Sequence, residues 1–246
     1  MQKAKDLPYK FANFSPSIGC VPISLGCAHC YARTIALRLK KRGNAEYKDG
    51  FSYKELWHRL EQPLLVKRPT IFFMSAMSDL FFESASEGFL DALFDVIRRT
   101  PHHQYQLLTK RPERMQQYFS THKAPLNLWL GVTVEVATSK WRMEILRQIE
   151  CAMRWICCEP LLSSLGDLNL NGIDWVVAGA ESGYGARACE PEWMLEIKRQ
   201  CDAQGVAFYF RGWGDSGADK KPKARLLEPI DEFRFYPFFK DATSLF

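Results

Sequence analysis

Seven short apolar runs, nearly all followed by an amphipathic helical segment, constrain the fold of this chain more than any other feature. The runs lie at 9–18, 70–74, 104–108, 127–132, 153–157, 174–178 and 206–210. Helical periodicity falls at 29–42, 87–100, 113–119, 140–149 and 191–203, with a shorter stretch near 53–61. In 87–100, Phe89, Leu90, Leu93, Phe94 and Ile97 recur at the spacing of one helix face. Strand–helix alternation argues for parallel βαβ units joined by right-handed crossovers. The strands read as apolar runs and not as apolar–polar alternations, as expected when both sheet faces are covered. The predicted architecture is α/β: a partial or complete TIM-like (β/α) barrel of about six to seven parallel strands, with a doubly wound open sheet as the alternative. The barrel domain is placed at 1–213. A C-terminal extension at 214–246, rich in Lys, Pro and aromatic residues, closes the barrel or meets a partner.

The 246 residues can bury a sizeable core without disulfides or metal staples, so a bound metal would serve chemistry and not folding. No stretch reaches the roughly 18–20 apolar residues of a membrane helix. The opening MQKAKDLPYKF lacks the apolar region of a signal peptide. The expectation is a cytoplasmic protein with no membrane partner, whose eight cysteines stay reduced and act as ligands or buried thiols. A net charge of +5 permits nucleic acid as a partner without requiring it.

Cys20, Cys27 and Cys30 fall within one loop, spaced C-x6-C-x2-C, after the first strand and before the first helix. In a (β/α) barrel that is the catalytic end. Three thiolates converging on one point suit an iron–sulfur cubane with one iron left open. Zinc is the rival, completed by His29, His58 or a distant cysteine. Cys151, Cys157, Cys158, Cys189 and Cys201 lie in core-like segments and read as buried thiols, with Cys158 set apart by its place at a strand end. Most aromatic residues, Phe72, Phe73, Phe94, Trp129 and Trp175 among them, read as core.

The strands share a second pattern: each ends in charged or hydroxyl groups. These are Ser75, Ser78 and Asp79; Thr109, Lys110 and Arg111; Thr133 and Glu135; Glu159; Glu181 and Ser182. In a barrel they would ring one pocket. Lys110, Glu135 and Glu159 are the candidate catalytic groups. Lys110, Arg111 and Arg187 are candidates to bind a carboxylate or phosphate. Gly179, Gly183 and Gly185 would let backbone approach a ligand near Glu181 and Ser182.

The stretches GCVPISLGCAHCYA, FFMSAMSDLF, QLLTKRPERM, LWLGVTVE, CCEPLL and IDWVVAGAESGYGAR together resemble the phage-associated three-cysteine family of radical S-adenosylmethionine (SAM)-like proteins, from Cys20 to about Trp213. The resemblance implies a [4Fe–4S] cluster on Cys20, Cys27 and Cys30, with S-adenosyl-L-methionine as the second cofactor. It also implies, for some members, a dedicated three-Cys-motif partner protein. Radical SAM enzymes usually space these cysteines C-x3-C-x2-C, with an aromatic before the third; here the first gap is six and that position is His29, followed by Tyr31. Their glycine–glutamate motif after the second strand is absent. Ser78 and Asp79 would substitute for it, or Glu181 would contact the SAM ammonium. Two functions follow as expectations. One is a radical SAM enzyme acting on an unknown substrate: nucleic acid, nucleotide or partner protein. The other is a non-catalytic zinc- or cluster-binding phage module that binds nucleic acid or a protein, with 220–225 as its basic segment.

Overall fold

The computed structural model describes residues 1–3, 6–183, 185–214 and 234–237. Its centre is one sheet of seven parallel strands: β1 (Lys10–Phe14), β2 (Thr70–Met74), β3 (Gln104–Thr109), β4 (Leu128–Thr133), β5 (Met153–Cys158), β6 (Trp175–Gly179) and β7 (Ala207–Gly212). Each strand pairs with its sequence neighbour, in the order β7-β6-β5-β4-β3-β2-β1. A doubly wound sheet reverses its order part-way; this one never does, which removes that alternative. The sheet curls into a half-barrel whose edge strands β1 and β7 do not pair, so the barrel is partial and not complete.

Five helices connect the strands: α1 (Tyr31–Lys41), α2 (Glu87–Arg99), α3 (Pro112–Phe119), α4 (Trp141–Arg147) and α5 (Pro191–Gln204). Local chemistry sets their ends. The Ser86 hydroxyl accepts from Phe89 N–H at the start of α2. Pro112 and Pro191 open α3 and α5, where a missing N–H costs nothing. Gly205, at φ 69°, closes α5 in the left-handed conformation.

Alternate strand residues serve opposite faces. The outer face carries Phe72, Tyr105, Leu107, Leu130, Val132, Ile156 and Phe208, buried against Phe89, Leu93, Phe94, Met115, Leu146 and Met194 of α2–α5 in one continuous core. The inner face carries Ile71, Trp129, Trp155, Cys157, Trp175 and Val177, and no helix residue packs there. Helix α1 joins neither layer: Ala36 belongs to a small separate cluster with Ile18, Tyr47 and Leu56.

The run expected as a strand at 9–18 divides. Lys10–Phe14 enters the main sheet, whereas Ser17–Ile18, beyond Pro16, pairs antiparallel with Lys54–Glu55. That pairing, with a single 3-10 turn at Trp57–Arg59, replaces the helix expected near 53–61. Of the expected extension, Phe235–Tyr236 pairs antiparallel with Gln2–Lys3, and Tyr236 stacks 4.6 Å from Trp175 on the inner face. The basic segment 220–225 lies outside the described residues. No helix among the described residues is long and apolar enough to cross a membrane.

Candidate active site

Parallel strands place all their carboxyl ends, and the loops that follow them, at one end of the half-barrel. A cavity of about 660 Å3 opens there and runs down the inner face. Most of the strand-end and loop residues singled out from the sequence line it; Glu135, Gly179, Gly183, Gly185 and Arg187 do not. Cys20, Cys27 and Cys30, all half-buried, stand at its mouth.

The cysteine loop is shaped by backbone constraints. Gly19, at φ 82°, donates its N–H to Met77 O at 2.9 Å, and a Cβ there would meet Ser52 O at 2.1 Å. A 3-10 turn at Leu25–Cys27 brings Gly26 onto the Glu135 side chain, 3.2 Å from where a Cβ would be. Cys30 starts α1, its carbonyl accepting from Thr34 N–H at 3.2 Å.

Two arginines clamp this loop from opposite sides. Arg111 donates to Cys20 Sγ at 3.4 Å and to Val21 O at 3.2 Å, and is itself held by Asp79 Oδ2 at 3.1 Å and Glu83 Oε1 at 2.8 Å. Arg187 donates to Leu25 O at 3.0 Å and grips both oxygens of Glu181. Arg111 and Arg187, candidates to bind a ligand anion, are here engaged by protein carboxylates and carbonyls.

The two carboxylates considered for the SAM ammonium are similarly engaged. Asp79 Oδ1 accepts from Phe81 N–H and Thr109 Oγ1; Oδ2 accepts from Lys110 N–H and Arg111. Glu181 Oε2 accepts from Arg187 N–H at 2.8 Å and Nε at 2.9 Å, and lies 3.1 Å from His29 Nδ1. Burial opposes ionisation of Glu181, but the Arg187 side chain and backbone, helped by His29, outweigh it and hold the pKa below the ordinary carboxylate value. Both residues position the loop. The Ser78 hydroxyl pairs with Ser17 Oγ at 2.7 Å, and the Tyr31 hydroxyl donates to Ala76 O at 2.7 Å. Ser182 is exposed at the rim.

The candidate catalytic groups separate. Glu135 is fully buried under the loop and bound to Arg142 at 2.7 Å. Burial works against its charge, yet the Ser24 hydroxyl, Arg142 and Lys110 keep its pKa lowered. Glu159 faces the cavity with Arg211 Nε at 3.6 Å, and burial raises its pKa against that cation. Gly179 makes this possible: a Cβ there would sit 2.9 Å from Arg211 Cβ and 3.1 Å from Glu159 Cδ. Lys110 lines the cavity and lowers the pKa of Cys27. Burial raises the Cys27 value, but Lys110, the backbone at 23–24 and the Ser24 hydroxyl more than reverse it. Cys20 is pushed up to about 11 by burial and by Asp79, with Arg111 opposing.

Of the remaining cysteines, Cys157, Cys158 and Cys201 are buried as expected, whereas Cys151 and Cys189 are only half-buried. Burial, with Glu159 beside it, lifts Cys157 to about 12. Burial and the neighbouring thiols Cys157 and Cys201 take Cys158 well above its ordinary value, and its side chain is fully buried at the strand end. Among the described residues, no three His, Cys, Asp or Glu side chains are gathered as one metal ion would require.

Sequence reasoning missed the lumen beneath the mouth. Register places Asn13, Phe73, Gln106 and Trp129 side by side across β1–β4. One level up, Leu108, Gly131, Trp155 and Trp175 follow across β3–β6. A Cβ on Gly131 would fall 2.3 Å from the Trp155 ring, so the glycine lets that indole lie flat on the sheet. Phe73, read as core, is only half-buried and lines the cavity, while Trp175 is buried in the inner-face cluster as expected and also borders the cavity. The polar interruptions Asn13 and Gln106 within otherwise apolar runs were the available signal.

A singly wound half-barrel with a clamped three-cysteine loop over an aromatic lumen defines the class: an α/β barrel-type protein with its site at the carboxyl ends of the strands. The chain belongs to the family described as protein of unknown function (DUF5131), which it matches over residues 5–233. No curated protein and no solved structure matches it.

Proposed function

We propose that this is a radical SAM-type enzyme whose [4Fe–4S] cluster is held by Cys20, Cys27 and Cys30. One observation carries the reading: the three loop thiols share the mouth of a cavity of about 660 Å3 at the catalytic end of the half-barrel. A metal serving only to staple a loop needs no such chamber. The donor set suits the cluster, because three thiols leave one iron open and Lys110 and Arg111 offset thiolate charge. When bound, such a cluster supplies the electron that splits SAM into methionine and a 5′-deoxyadenosyl radical, which takes a hydrogen atom from the substrate.

The chain's own groups do the rest. Arg111 and Arg187 fix the loop against Asp79 and Glu181. Ser75, at φ 66° on the cavity wall, has a buried hydroxyl with no hydrogen-bond partner among the described residues, free to bond a ligand there. Lys110 and Glu159 are the cavity-facing groups able to orient a ligand anion or exchange a proton. The aromatic walls exclude water from the reacting atoms.

A second reading has one observation in its favour. His29 Nδ1 lies 3.1 Å from Glu181, the carboxylate–histidine arrangement common behind zinc, which would leave Nε2 as a fourth ligand of a non-catalytic zinc module. Anaerobic purification followed by iron, sulfide and zinc analysis, with EPR spectra with and without SAM, separates the two. About four irons and four sulfides per chain, lost in Cys27→Ala, with a reduced signal perturbed by SAM, is the expected result. Stoichiometric zinc without iron overturns the proposal.

A further inference from the structure

We infer that the substrate of this site is a nucleotide within a polynucleotide strand, the strand lying along α1 and its base entering the aromatic lumen. The inference rests on the proposed function only in taking the lumen as the reacting site.

Helix α1 carries Arg33, Arg38, Lys40 and Lys41, with Arg42 at its C-cap, and no acidic residue from Tyr31 to Arg42. All five cations are exposed, and among the described residues none forms an ion pair. Helices α2, α4 and α5 each pair at least one cation internally: Arg99 with Asp95, Arg147 with Glu144, Lys198 with Asp202, Arg199 with Glu192. The acids nearest α1 in sequence are taken, Glu46 by Arg59 and His58, and Asp49 by Lys54. Favourable placement at a helix C-terminus accounts for the last-turn cations. It does not account for Arg33, which sits in the first turn, where the helix dipole disfavours positive charge.

The helix also has the right starting point. Tyr31, its first residue, lines the cavity, and the eleven residues from there span about 16 Å at 1.5 Å per residue. Unpaired cations, Arg33 with Lys40 on one side of the helix and Arg38, Lys41 and Arg42 on the adjoining side, on an element that begins at the cavity match a polyanionic strand, whose phosphates recur at regular intervals. Below the mouth the chemistry changes to what a base requires: Phe11 and Phe73 offer accessible ring surface, backed by the buried indoles of Trp155 and Trp175, and Asn13 and Gln106 provide amides able to hydrogen-bond a base edge. Phe11 is 52% exposed on edge strand β1, an aromatic left facing an opening.

The test is fluorescence anisotropy with the full-length protein and labelled single strands of RNA or DNA about 20 nucleotides long, between roughly 50 and 200 mM salt. Micromolar or tighter binding, weakening with salt at about −0.7 logarithmic units per phosphate neutralised, is expected. Arg38→Glu with Lys41→Glu, both exposed and away from the mouth, should weaken binding about tenfold or more and flatten the salt slope. Phe11→Ala should weaken it about fivefold or more without altering the slope. Binding unaffected by the α1 pair, or matched by poly-L-glutamate, overturns the inference, the latter assigning α1 to an acidic protein. An effect of the α1 pair with Phe11→Ala silent overturns the entry of the base. The assay needs no cluster: wild-type protein stripped of metal by a chelator should bind the strand as well as the untreated protein. Strand binding by a protein without iron therefore refutes the proposed chemistry alone, and an iron–sulfur protein without strand binding refutes this inference alone.

Discussion

The two faces of the sheet are built from the same seven strands and to opposite ends. The outer face is aliphatic and phenylalanine-rich, closed by four helices into one core. The inner face is tryptophan-rich, interrupted by Asn13 and Gln106, and covered in part by the two-residue strand Phe235–Tyr236. Adjacent residues of a strand thus belong to different economies: Phe72 packs against Tyr105 in the core, while Phe73 lines the cavity. The outer layer supplies stability. The inner layer leaves aromatic surface and amides available, which is favourable only if something binds there.

The largest effect that could break this comparison is loss of an outer-face aromatic. Phe94 is fully buried between Tyr118 and Phe119, with ring centroids at 5.3 and 5.2 Å. Phe94→Ala should cost about 3–5 kcal/mol in denaturant unfolding. Phe11→Ala on the inner side should cost well under about 1 kcal/mol, since half of that side chain is already in water. Similar losses at both positions would mean that the inner face is core after all.

A matched glycine pair sharpens the contrast. Gly88 in α2 has open space where a Cβ would stand, so Gly88→Ala should stabilise the protein by up to about 1 kcal/mol. Gly131→Ala must displace the Trp155 indole and should destabilise by about 1–3 kcal/mol, with a change in near-ultraviolet circular dichroism. An unaltered tryptophan signal in the second variant would contradict the flat seating of Trp155.

The extent to which the sequence foretold this follows from what a pattern can encode. Apolar runs located the central strands to within a residue or so: 70–74 coincides with β2, and 153–157 misses only the last residue of β5. The C-x6-C-x2-C spacing marked the mouth because metal-type spacing is local. Two things were not local. Residues 53–61 have helical spacing, but Lys54–Glu55 is captured by Ser17–Ile18, so tertiary pairing overrode local preference. Continuous apolar runs also conceal which face each residue serves, so Phe72 and Phe73 read alike as core although only Phe72 packs under the helices. The arginine clamps join residues such as Arg187 and Leu25, 162 positions apart.

Arg187 supplies an intermediate test. Arg187→Ala leaves Glu181 buried with only His29 and the backbone N–H of residue 187 as partners and frees the Leu25 carbonyl. Global stability should fall by about 1–3 kcal/mol. Hydrogen exchange should quicken at residues 20–30 and stay unchanged in α2. Equal quickening in both regions would show that the clamp supports the whole fold and not the mouth.

The smallest effect concerns the one histidine buried in the outer layer. His103 is wholly inaccessible, its Nδ1 accepts from Thr70 N–H at 3.2 Å, and Nε2 faces Pro63 O at 3.2 Å. Protonating Nδ1 would set two N–H groups against each other. Burial, with His102 adjoining, lowers its pKa from the ordinary 6.5, while the Pro63 and Val66 carbonyls oppose the shift. Because the unfolded chain takes up this proton first, the stabilisation is fully present above about pH 6.5 and is lost as pH falls through the folded value, with a slope of at most about 1.4 kcal/mol per pH unit. The unfolding midpoint should therefore drop on acidification below pH 6.5 more steeply in the wild type than in His103→Gln. Equal slopes would show that the outer layer holds no titrating group, and that any acid sensitivity originates at the mouth.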